Sequence, residues 1–173
     1  MFNRRRRILL SEIGRQCGFA MMAYGDATAA IQKRESERFW YSLEALVTAA
    51  SRLHELLWPA AGSSMPADEE LRRVLGVDDD SPLNGAPLSS ACGLIATLES
   101  WNALRPGQPP LLSNLGPAGF AEPAPAECVR CFAPATGIFT LYGSAIELPP
   151  LLHAVAGISQ KVEEELQQLR TMV

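Results

Sequence analysis

From Glu35 to Pro59 the chain reads ESERFWYSLEALVTAASRLHELLWP. Its apolar residues fall at Phe39, Trp40, Leu43, Leu46, Val47, Ala50, Leu53, Leu56 and Leu57, the three-and-four spacing of one helical face. Glu44, Thr48, Ser51, Arg52 and Glu55 lie between them and read as the polar side. Pro59 follows Trp58 and ends the run, because its ring and missing N–H do not fit a helix interior. An amphipathic helix of this kind must bury its stripe against other helices.

The segment before it predicts a partner helix from about Ile8 to Lys33, with Leu9, Ile13, Cys17, Ala20, Met21, Tyr24 and Ala27 on one face. Gly14, Gly18 and Gly25 weaken that helix and mark a bend or a close approach of another element. A turn near Arg34 makes the pair an antiparallel hairpin. After a loop, Asp68 caps a short helix, EELRRVLG, closed by Gly76. The stretch VDDDSPLNGAP is turn chemistry. Leu88 to Leu104 predicts a charge-poor core helix in which Glu99 is the one ionised side chain.

Residues 105–127 are rich in proline and glycine, which excludes a helix or a central strand. Residues 129–148 predict a β-hairpin, Val129–Ala133 and Ile138–Tyr142 around Pro134-Ala135-Thr136-Gly137, with Ala145–Leu148 as a further short strand. Pro149 and Pro150 open the last helix, which carries Leu151, Leu152, Val155, Ile158, Val162, Leu166 and Leu169. Its polar end is expected to project from the body. No internal repeat or long heptad array appears. The fold class is thus mainly α, a bundle of four to five helices with a small β-hairpin before the last one. A basic arm at 1–7 precedes a single domain at 8–173.

Composition changes this picture little, and charge changes it at one place. The net charge is −4. Arg4, Arg5, Arg6 and Arg7 hold four of the 15 basic residues, leaving 11 against 19 acidic ones, a balance of −8. The body therefore offers no general field for nucleic acid, and any such field is local to the arginine block. The longest apolar runs fall short of a membrane span, and the short run after the arginines does not make a signal peptide. A reduced, cytoplasmic protein is expected.

Candidate chemistry is sparse. The two histidines are His54 and His153. His54 reads either as a general base or RNA contact, or as a helix C-terminal histidine favoured by the dipole. Cys128-Val-Arg-Cys131 is a lone C-x-x-C, while Cys17 and Cys92 stand without ligand spacing. Asp78, Asp79 and Asp80 lack the pattern of a calcium loop. No P-loop, dinucleotide fingerprint or nucleophile elbow is present. No metal or cofactor is called for.

The pieces ERFWYSLEALVTAASRLHELLWP, ELRRVLGVDDDSPL, and CFAPATGIFTLYG followed by ELPPLLHAV resemble a bacterial family of HEPN-like helical bundles. The resemblance spans residues 8–158. It implies an α-helical domain that dimerises, and in catalytic members an Arg with a His four to six residues on. Here no Arg or His occurs between Arg73 and Arg105, so no catalytic residue carries over. The resemblance then implies a non-catalytic protein acting through association, as a homodimer or with a protein partner, in a bacterial defence or toxin–antitoxin setting. The alternative is an RNA-binding protein or RNase using Arg4, Arg5, Arg6, Arg7 and His54. A third is a metal- or ligand-binding regulator built on Cys128 and Cys131.

Overall fold

The computed structural model describes residues 2–59, 69–85, 88, 114–115, 130–141 and 144–171. These hold four α-helices: α1 (Phe2–Lys33), α2 (Ser36–Leu57), α3 (Glu69–Val74) and α4 (Leu148–Thr171). A 3-10 turn occupies Pro82–Asn84. The strands are β1 (Asn114–Leu115), β2 (Arg130–Ala133), β3 (Ile138–Leu141) and β4 (Ser144–Glu147). The mainly α class with a small sheet before the last helix is therefore what the chain adopts. Apart from Leu88, the expected core helix at 88–104 lies outside the described residues, as do Asp68 and Cys128.

α1 and α2 form the expected hairpin. Arg34 turns the chain with φ 59°. Its N–H donates to the Ile31 carbonyl at 3.0 Å and the Glu35 N–H to the Ala30 carbonyl at 2.9 Å, the two bonds of a Schellman ending. α3 ends the same way. Gly76 has φ +67°, and Val77 donates back to the Arg72 carbonyl at 2.9 Å.

Leu10, Ile13 and Cys17 bury the first half of α1, and small residues bury its second half. Ala20, Ala27 and Ala30 are 0–1% exposed and face the larger Phe39, Leu43, Leu46 and Leu53 of α2 in one core. This corrects the expected face of α1. Met21 and Tyr24 are exposed, and Ala23 and Ala30 are buried in their place. Ser51, expected on the polar side of α2, is buried as well.

α4 packs along α1, burying Leu151, Val155, Ile158 and Val162. Its polar end does not project. Arg6 donates to Glu165 at 2.8 Å, and Leu166 and Leu169 lean on the core. The basic arm is corrected in the same way, since α1 begins at Phe2 and Arg4–Arg7 form its first turns. An inward guanidinium with a carboxylate partner gives those turns something to hold, which a frayed end lacks.

The sheet order is β1-β2-β3-β4, with β1 parallel to β2 and the others antiparallel. Phe132 pairs with Phe139 in the ladder. Phe39 of α2 sits 5.2 Å from Phe132 and 5.0 Å from Trp40 by ring centroid, and Trp40 lies 6.3 Å from Phe139. This aromatic group seats the sheet on the first half of α2. Arg130 and Glu44 reinforce it with an ion pair at 2.6 Å, by distance and outside hydrogen-bond angles.

Candidate functional site

Trp58 follows the last residue of α2 and its N–H donates back to the His54 carbonyl at 2.7 Å, which holds the two side chains together. Their rings stack at 5.5 Å with 23° between planes. His54 Nδ1 is 3.0 Å from the Leu83 carbonyl oxygen. A carbonyl only accepts, so Nδ1 carries the proton and donates. Trp58 Nε1 donates to Asp79 Oδ1 at 3.1 Å. Arg72 of α3 lies 5.8 Å over the Trp58 ring and donates to the Leu57 carbonyl at 3.1 Å. That places a cation at the C-terminal end of α2, where the helix dipole favours it.

The assembly ties α2, α3 and the 3-10 turn together. The turn itself is capped by Ser81, whose Oγ accepts from the Leu83 N–H at 3.3 Å. His54 therefore pins a loop. Its described partners are a backbone carbonyl and an indole ring, neither of them a nucleophile or an acid. Beside it, Glu69, Glu70, Arg72, Arg73, Gly76, Val77, Asp78 and Asp79 line an open recess of about 690 Å³. Among its described lining residues the carboxylates outnumber the guanidiniums. Among the described residues no group of three His, Cys, Asp or Glu is placed to hold a metal ion.

The arginine block divides by helix geometry. Arg6 turns inward to Glu165, at 24% side-chain exposure, while Arg4, Arg5 and Arg7 are exposed. Arg4 and Arg7 line a recess of about 590 Å³ with Ile8, Ser11, Glu12 and Arg15. The described contacts of His54 lead to Leu83 and Trp58, and those of Arg6 to α4. They do not bring the two halves of the RNA reading together.

The two described cysteines, Cys17 and Cys131, are buried. Cys17 is fully buried on α1, and burial pushes its thiol up to about 12. Cys131 is buried in β2 opposite Thr140. His153 lies exposed in the first turns of α4.

The least expected feature is the apolar surface that α1 leaves exposed. Among the described residues six of the seven large hydrophobic side chains left exposed belong to this helix, so the exposure is a property of one element rather than scatter. Ile8, Phe19 and Met22, at 58%, 48% and 67% exposure, share one side of the helix, and Met21, Tyr24 and Ile31 lie on another. The signal was in the sequence, because α1 carries more large apolar residues than one core-facing stripe can hold. It was masked by assigning Met21 and Tyr24 to the core.

No family model, curated protein or solved structure matches the chain. Among the described residues no helix is long and apolar enough to cross a membrane.

Proposed function

We propose that this protein works by association, as a non-catalytic HEPN-like helical domain that forms a homodimer. The observation that carries the reading is the concentration of exposed apolar side chains on α1. A lone monomer rarely leaves such side chains together on one element, and interfaces are where they are found. Supporting it, His54 is engaged by a backbone carbonyl and by the Trp58 ring, which fits a structural part for the imidazole. The defence or toxin–antitoxin setting rests on the HEPN resemblance alone.

Light scattering coupled to size-exclusion chromatography, run with and without RNA, tests this reading. A dimer whose mass ignores RNA is expected. A monomer at high micromolar concentration overturns it. A second reading, RNA binding, is favoured by the recess that gathers Arg4, Arg7 and Arg15. It predicts binding at low salt that weakens steeply as salt rises. Replacing Arg4 and Arg7 with Gln would abolish it.

A further inference from the structure

The outer face of α1 has an order that fits a second copy of itself. At about 100° per residue, Arg4, Ile8, Arg15, Phe19, Met22, Asp26 and Lys33 fall within an arc of about 60°. All seven are exposed. The helix has 32 residues, so this line runs nearly its full length. α2 and α4 both pack on α1, yet this side keeps Phe19 at 48% exposure.

Charge along the line decides which way a second copy would lie. Arg4 and Arg15 stand towards the N-terminal end, and Asp26 stands beyond the apolar centre. A parallel copy would set Arg4 on Arg4, Arg15 on Arg15 and Asp26 on Asp26. An antiparallel copy centred between Phe19 and Met22 sets Phe19 opposite the partner's Met22. The same register sets Arg15 opposite the partner's Asp26. It also lays the stem of Lys33 along the partner's Ile8 and brings each arginine block to the negative end of the other helix. One two-fold axis satisfies every pairing twice, as an isologous dimer requires.

We propose that α1 is the homodimer surface, with the two copies of α1 antiparallel and Arg15 of each chain against Asp26 of the other. This rests on the association reading and names its surface and orientation. In the protomer Arg15 bonds Glu12 at 3.2 Å and Asp26 meets Arg38 at 3.4 Å. Both are exposed contacts, and a second carboxylate oxygen remains on Asp26 for the partner.

The test uses light scattering and sedimentation on the full chain. Phe19→Asp with Met22→Asp is expected to raise the dimer dissociation constant at least 100-fold. Arg15→Glu and Asp26→Arg are each expected to raise it about tenfold, and the two reversals together to restore most of the loss. Met22→Cys is expected to join two chains through a short bismaleimide. Ser11→Cys is not, since that register puts the two copies of residue 11 roughly 28 Å apart along the axis. Circular dichroism checks that these exposed substitutions leave the helices intact. A wild-type dimer that survives the Phe19 and Met22 changes overturns this face while the association reading stands. Cross-linking through Ser11 overturns the antiparallel orientation. A wild-type monomer overturns both.

Discussion

Gly14 of α1 and Val162 of α4 meet so closely that a side chain has no room between them. A Cβ on Gly14 would lie 3.0 Å from Val162 Cγ1. Val162 is itself buried, so it has little space to yield. Gly25, on the same helix, has open space where its Cβ would be. Gly14→Leu is expected to destabilise the protein by about 1–3 kcal/mol through overpacking. Gly25→Ala is expected to stabilise it by about 0.5–1 kcal/mol through helix propensity. Urea unfolding of both variants at one protein concentration checks the opposite signs.

Arg34 holds a left-handed backbone conformation that an L side chain disfavours, and Gly76 holds a similar one without that cost. Arg34→Gly is expected to raise stability by about 0.5–1 kcal/mol, and Gly76→Ala to lower it by about 1 kcal/mol. Thermal unfolding read by circular dichroism should move the two midpoints in opposite directions. A loss on Arg34→Gly would mean that its side chain contributes more than its backbone strain removes.

Cys17 couples stability to alkaline pH. Its thiol is pushed up to about 12 from an ordinary 9.0. Above pH 9 the unfolded chain ionises this group while the folded chain does not. The stabilisation is complete below pH 9 and is lost as pH rises towards 12. Wild type should exceed Cys17→Ala at pH 8, and the gap should shrink by about 1.4 kcal/mol per pH unit above 9. Denaturant titrations of both proteins at pH 8, 9 and 10 measure that gap. A constant gap would show that Cys17 ionises freely in the fold.

His54 and Leu83 join α2 to the 3-10 turn. His54→Phe keeps a ring against Trp58 and removes the Nδ1 donor, leaving the Leu83 carbonyl without that bond. A cost of about 1–2 kcal/mol is expected, with the mass in solution unchanged. Equilibrium unfolding and light scattering on the same variant read the two effects. Loss of RNA binding in this variant would instead revive a functional role for the imidazole.

These outcomes also show how much the sequence discloses. α2 was legible because one amphipathic stripe ends at Pro59, so periodicity and a breaker agree. The β2–β3 pair was legible from the turn at Pro134–Gly137, and the further short strand expected at 145–148 is β4 at Ser144–Glu147, with Leu148 already opening α4. The buried face of α1 was not, because the rule that large apolar residues go inside fails where helices pack close. There Ala20, Ala27 and Ala30 take the seam, and Met22 and Phe19 stay outside. The start of α1 was misplaced because the partner of Arg6 is Glu165, 159 residues away. The site around His54 was half legible. Its histidine is visible in any reading, but its acceptor is a backbone carbonyl 29 residues on, and side-chain identity says nothing about where a carbonyl points.

The last helix opens on Leu148, and Pro149 and Pro150 after it carry no N–H to satisfy. Leu148 donates to the carbonyl of Gly137, in the β2–β3 turn, at 3.0 Å. Gly137 has φ +69°, and a Cβ there would press on the Pro149 ring at 3.0 Å. The turn thus accepts from the first residue of the helix, and the hairpin and α4 are expected to open together. In native-state hydrogen exchange their amides should share a single opening free energy, and Gly137→Ala should lower it for the strand and the helix together.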